Sequence, residues 1–196
     1  MFKTRAKGGG MNQDINTKEK ILQAAVSLLA KQPEPDRITV RDVAREAGVG
    51  VGLINYHFHS REELLSQAIG SMMAGMAGNP SQWRAAPDGN AADSLADMLK
   101  GLYNFAAPYE KLMRFVLVQG IQRGETDAFL YMVPLLREAL PGKDEFALRV
   151  VATQILWPLQ AASISPDAFH SFSGVDLRDK NQRDRYIDTL VHNLLG

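Results

Sequence analysis

Apolar residues recur at helical spacing along most of the chain, and alternation of the strand type is almost absent. Within residues 17–30, "TKEKILQAAVSLLA", Ile21, Leu22, Ala25, Leu28 and Leu29 fall on one face. Thr17 reads as a partial N-cap, since Lys20 stands where a capping box would carry Glu. Pro33 and Pro35 stop that helix. Thr39 then caps a short one, "VRDVAREA", with Val40, Val43, Ala44 and Ala47 facing inward and Asp42 near the positive end. Gly48 takes the place of a left-handed stop. In "VGLINYHF", Leu53 and Ile54 are expected on the inner face, closed by Phe58. Ser60 and Glu63 read as a full capping box for a helix whose apolar face runs through Leu64, Leu65, Ala68, Ile69, Met72, Met73 and Met76. Residues 78–90 and 165–176 have loop composition, and helices are expected at about 91–106, 109–122, 126–140, 143–164 and 179–195, with kinks at Pro134 and Pro158. The chain is therefore all-α, with three short helices first and about six longer ones after.

The stretch "AGVGVGLINYHF" places Gly48, Gly50 and Gly52 at every second position. A dinucleotide-binding fingerprint would need a preceding strand and a third glycine where Leu53 stands, so it fails on both counts. A helix–turn–helix needs a short helix, a glycine-containing turn and a second helix with an exposed first half, and "VRDVAREA-GVG-VGLINYHF" supplies each. Gly50 and Gly52 leave no side chain between the helix axis and a groove floor, which sets a close backbone approach against glycine's poor helix propensity.

From Thr17 to about Leu65 the residues resemble the tetracycline-repressor-like (TetR/AcrR) transcriptional regulators: the "AREAGV" turn, Gly52, the ending "NYHF" and "SREELL" carry the likeness. Gly50, Leu53 and Asn55 depart from the residues common in that family. The resemblance implies an N-terminal three-helix DNA-binding module followed by a larger α-helical ligand-binding and dimerisation domain. It also implies phosphate contacts from Thr39, Tyr56, His57 and Arg61, which suits a helix N-terminus, a phenol, an imidazole and a guanidinium. Base reading would fall to Val51, Gly52, Asn55 and Arg41; Asn55 can address adenine and Val51 a thymine methyl, although Asn55 can equally bridge within the module. Arg41 and Arg45 read equally well as groove contacts or as plain charged surface.

The expected organisation is a flexible leader over 1–14, a helix–turn–helix domain over 15–62 and a regulatory domain over 63–196. Gly8–Gly10 mark the leader, Met11 is a second candidate start, and Lys3, Arg5 and Lys7 are either a solvated tail or a DNA-tracking arm. Met72, Met76, Trp83, Met98, Phe105, Phe115 and Trp157 are candidates for lining a site for a small apolar or amphipathic ligand, with ordinary core as the alternative. Phe146, Val150, Ile155, Tyr186, Leu190 and Leu194 are candidates for a homodimer seam between the last two long helices, where the resemblance implies a four-helix bundle.

Charge balances at 22 basic and 22 acidic side chains, so any polyanion surface has to be local. Without cysteine the chain has no disulfide, thiolate metal site or cysteine nucleophile, and a cytoplasmic setting is expected. His57 and His59 sit at i and i+2, off one helix face, so no metal is expected; nor is a cofactor or enzymatic activity, since no nucleophile–base constellation is visible. No membrane partner is expected. The sequence reads as a regulator of transcription that occupies a pseudo-palindromic operator in double-stranded DNA as a dimer and is released by a ligand. The alternative is a family member controlled by a protein partner, or an activator, without a small-molecule inducer.

Overall fold

The computed structural model describes residues 8–32, 34–79 and 90–195, with side chains from Asp14 onward. Lys3, Arg5, Lys7 and Trp83 lie outside the described residues. Among those described, the regular elements are all helical: α1 Gly8–Lys31, α2 Val40–Ala47, α3 Val51–His57, α4 Arg61–Ala77, α5 Ala91–Ala106, α6 Glu110–Arg123, α7 Asp127–Leu130, α8 Val133–Ala139, α9 Glu145–Ile164, α10 Pro166–Ser173 and α11 Lys180–Leu195. Short 3₁₀ turns occupy Pro35–Arg37 and Ala107–Tyr109. No described helix is long and apolar enough to cross a membrane. Contacts divide the chain into two compact units, Met1–Ser71 and Met72–Gly196.

In the first unit α1 packs on α2 and α3, and α2 packs on α3. Ile21, Ala25 and Leu29 of α1 are buried as the apolar spacing requires, together with Val43, Ala44 and Ala47 of α2, Ile54, Phe58, and Leu64, Leu65, Ala68 and Ile69 of α4. Lys31 of α1 pairs with Glu46 of α2 at 2.8 Å, and Ser27 donates to the same carboxylate at 3.0 Å. The first helix begins well before the expected cap: Gly8–Gly10, read as leader, are helical, and Thr17 lies inside α1. Glycine disfavours helix by about 1 kcal/mol per residue, but extending an existing helix needs no new nucleus. Ser60 accepts the N–H of Glu63 at 3.0 Å as expected, while the Glu63 carboxylate accepts the N–H of His59, one residue further back than a simple capping box.

The second unit is built on a buried cluster of Leu95, Met98 and Leu99 from α5, Leu135 and Leu136 from α8, Leu148, Ala152, Ile155 and Leu159 from α9, and Ile187 and Val191 from α11. Two departures come from proline. Pro134 does not kink a long helix over 126–140; it stands in the first turn of α8, where its missing N–H has no intrahelical acceptor to lose, and α7 ends before it. The segment with loop composition contains α10, begun by Pro166 and ended by Gly174 at φ 73°. Proline at a helix start and a left-handed glycine at its end are helix signals as much as loop signals. Pro158 lies within α9, which runs unbroken through it.

Polar bonds fasten α11 to α5: Lys100 to Asp188 at 2.7 Å, and His192 Nε2 to Asp93 at 3.0 Å. His192 Nδ1 faces the Asp188 carbonyl at 2.8 Å, so both ring nitrogens meet acceptors and the imidazolium satisfies both. Its pKa is raised above the ordinary 6.5, first by the Asp188 carbonyl and then by Asp93. The folded state binds this proton more tightly than the unfolded one. The stabilisation is therefore complete below the unfolded value and is lost as pH rises through the folded value. Urea unfolding should show stability falling modestly from about pH 6 upward, and Asp93→Asn should flatten that fall.

Candidate nucleic-acid interface

The first unit carries a groove of about 650 Å³ lined by Thr39, Val40, Arg41, Asp42, Arg45, Val51 and Asn55. One wall is the start and outer face of α2, and the other is the first half of α3. Four expected DNA contacts, Thr39, Arg41, Val51 and Asn55, thus come together in one place.

The α2 wall is fixed by its cap. The Thr39 hydroxyl accepts the N–H of Asp42 at 3.2 Å, and Asp42 Oδ2 accepts the Thr39 N–H at 3.0 Å and its hydroxyl at 2.6 Å. Arg45 adds a pair to Asp42 Oδ1 at 2.5 Å. The Thr39 hydroxyl, its backbone N–H and then Arg45 hold the Asp42 carboxyl below its ordinary range. Thr39 has spent its own N–H and hydroxyl inside this box, so what it offers a phosphate is the helix end it organises. The first-turn N–H groups of Val40 and Arg41 have no intrahelical acceptor. Arg41 is exposed and has no charged partner among the described residues, whereas Arg45 is shared with Asp42.

The α3 wall follows from a left-handed Gly48 at φ 62°, whose N–H bonds back to Ala44 and Arg45. A side chain at that φ is strained, so this glycine is a backbone requirement. Gly50 and Gly52 are different. Neither has positive φ, and a Cβ on either would meet nothing within 4 Å. Inside the protein nothing asks for glycine at these two positions.

In α3 only Ile54 is buried, with Phe58 after it. Leu53, expected on the inner face, is 43% exposed and joins Val51, Gly52, Asn55 and Tyr56 outside. Seven residues at 100° each leave room for one inward residue and its i+4 neighbour, and Leu53 lies a full step away from Ile54. Tyr56 is 68% exposed. His57 is half-buried, edge-on to Tyr56 at 5.0 Å, with Nε2 buried and unbonded, so only Nδ1 remains to meet a phosphate. Arg61 lies differently from the other expected contacts. Its Nε donates to the Ile38 carbonyl at 2.6 Å and Nη2 to the Pro35 carbonyl, and its side chain is 25% exposed. The guanidinium is turned onto the chain's own backbone, so reaching a phosphate would require it to let go of these carbonyls. Val40, expected to face inward, and Asp42 are the groove residues that sequence reading does not assign to DNA; the Thr39-x-x-Asp42 spacing is the signal for the second.

The remaining expected residues belong to the second unit or to the end of α4. Met72 and Met76 are half-buried. Met98 is fully buried in the core cluster, Phe105 packs on Tyr109 at 5.7 Å, Phe115 is half-buried, and Trp157, 44% exposed, packs on Phe129 at 5.8 Å. Of the seam candidates, Phe146 and Val150 are exposed, while Tyr186, Leu190 and Leu194 pack partly on the core. Ile155 has no exposed surface and faces its own chain's core, so it has nothing to present to a partner.

Residues 21–68 match the family model of bacterial regulatory proteins, tetR family. No curated protein sequence matches the chain. Solved structures with the same fold include RolR in complex with resorcinol, at TM-score 0.60 and 16% identity over 95% of this chain and 90% of that one. They also include BioQ with its natural double-stranded DNA operator, at 0.52 and 16% over 91% and 97%. A third is the fatty acid degradation regulator FadR from Bacillus halodurans, at 0.51 and 18% over 98% and 97%.

If Gly52 is glycine because DNA lies against it, Gly52→Ala should act in opposite directions on the free and bound protein. Thermal unfolding should show equal or higher stability, by up to about 1 kcal/mol. Titration with DNA should show binding weakened by roughly tenfold or more, as a methyl group in the approach surface requires.

Proposed function

We propose that this chain, which belongs to the tetR family of bacterial regulatory proteins by its residues 21–68, is a repressor that binds a pseudo-palindromic operator as a homodimer and leaves it when a small ligand binds. The observation that carries the DNA-binding part is the groove between α2 and α3, with Arg41 and Asn55 in its lining and two glycines beside them that the protein's own packing does not need. Asn55 and Val51 supply an amide for adenine and a methyl-contacting surface, and the exposed Leu53 enlarges the latter. Tyr56 adds a phosphate partner. BioQ, which shares the fold, is known with its operator.

The DNA-binding part spans about residues 15–62 and the regulatory part about 63–196. RolR, of the same fold, holds resorcinol, which supports a small, partly apolar ligand for the second part here. The aromatic and methionine side chains of α4, α5, α6 and α9 have the chemistry for it. Release follows only if the ligand prefers the arrangement that DNA does not. The chain works in the cytoplasm, where operator DNA is accessible.

The dimer is supported by α9, where Phe146 at 76% and Val150 at 38% exposure share the side away from the core. Burying such a stripe against its copy contributes about 25 cal/mol per Å². Phe146→Glu with Val150→Glu should give monomers by sedimentation with unchanged helical content and weak DNA binding; a tight dimer would place the seam elsewhere.

Selection from a random DNA pool should enrich a sequence with a dyad and half-sites about one helical turn, roughly 34–36 Å, apart. Arg41→Gln should lower the log–log salt slope by about 2, one phosphate per subunit. Enrichment without a dyad, or binding indifferent to salt, would overturn the reading. Thermal stabilisation by members of a small-molecule set, with loss of the enriched duplex, separates ligand release from control by a protein partner.

A further inference from the structure

Arg61 stands in the first turn of α4 and spends its guanidinium on backbone oxygens 23 and 26 residues earlier in the chain. Nε donates to the Ile38 carbonyl at 2.6 Å, Nη2 to the Pro35 carbonyl, and Nη1 to the Glu62 carboxylate at 3.3 Å. The two carbonyls bracket the turn that delivers the chain to Thr39. Ile38 itself is 2% exposed, and its N–H also bonds to the Pro35 carbonyl at 3.1 Å, so the turn is tied from within and from α4.

We propose that Arg61 is a positioning residue for DNA binding: its planar fork holds the Pro35–Ile38 turn against the start of α4 and so sets the Thr39 and Arg41 wall of the groove. Turning Arg61 out to a phosphate would break two charge-assisted bonds and leave the Ile38 carbonyl without its donor in a buried place. The fork matters more than the charge. A lysine ammonium is a single point of charge on a flexible stem and does not span two fixed carbonyls in one plane. The link also makes the first turn of α4 and the entry to α2 one mechanical piece, so a shift of α4 is felt at the groove wall.

The effect on affinity rests on the DNA-binding reading above; the effect on the turn does not. Arg61→Lys and Arg61→Gln are titrated against the duplex enriched from the random pool across a range of salt. Amide hydrogen exchange is followed in the DNA-free proteins. Both variants should bind roughly tenfold or more weakly, the loss expected for bonds to a charged group, with the salt slope unchanged. Within 38–42, exchange should quicken at the bonded N–H groups of Ile38, Thr39 and Asp42, and it should stay as in the parent protein over 21–29. Arg61→Lys binding like the parent, with Arg61→Gln losing about 2 from the salt slope, would make Arg61 a phosphate contact and overturn the proposal. Exchange that is unchanged at 38–42, or that quickens alike throughout the first unit, would overturn it as well. If the parent protein enriches no duplex, the DNA-binding reading fails, and the exchange comparison still decides whether Arg61 holds the turn.

Discussion

Helices of eight and seven residues do not hold themselves in water, because the first turn costs more than so few hydrogen bonds return. α2 and α3 are of that length, and the groove is made from them. Their ends must therefore be tied by something other than the helix. Thr39 and Asp42 tie the start of α2 reciprocally, Gly48 turns its end back onto Ala44 and Arg45, and the buried side chains of α1 hold the pair from behind. α3 has no side-chain cap at Gly50 and relies on Ile54 and Phe58. The caps, more than intrinsic propensity, decide where the groove residues stand.

That solution puts a carboxylate in a groove proposed to meet phosphates. Asp42 is needed by the cap, and Arg45 is drawn onto it at 2.5 Å, so the pair is nearly neutral and Arg41 is left as the cation of the wall. The whole first unit carries ten basic and eight acidic side chains, and Lys3, Arg5 and Lys7 are among the basic ones. With so little net charge, attraction for DNA comes from placed groups, and small displacements of them matter. This is why a positioning residue such as Arg61 bears on affinity as directly as a contact does.

The parts legible in the sequence are those written within four residues of each other. The Thr39–Asp42 cap, the Gly48 stop, the Ser60–Glu63 bond and the inward Ile54 and Phe58 all have that range. What sequence reading did not reveal depends on partners far along the chain or on a choice that periodicity leaves open. Arg61 reaches back 23 residues to Ile38, and a local motif says nothing of that carbonyl. Leu53 and Ile54 are adjacent and equally apolar, and only the packing behind α3 selects one of them. Pro166 and Gly174 mark helix ends as well as loops, so composition alone took α10 for a loop.

The same reasoning explains the two sides of α9. Leu148, Ala152, Ile155, Leu159 and Ala162 recur at steps of four and three and are buried in the chain's own core. Phe146, Val150 and Trp157 recur at steps of four and seven on another side and stay exposed, with Trp157 resting on Phe129. A helix apolar on two sides is covered on both in a stable protein, since bare stripes of this kind cost solubility. Ile155 and Val150 are five residues apart, about 140° around the axis, which is why one belongs to the core and the other to the proposed seam. Apolar spacing alone put them together; the burial of α8 and α11 against one side of α9 separates them.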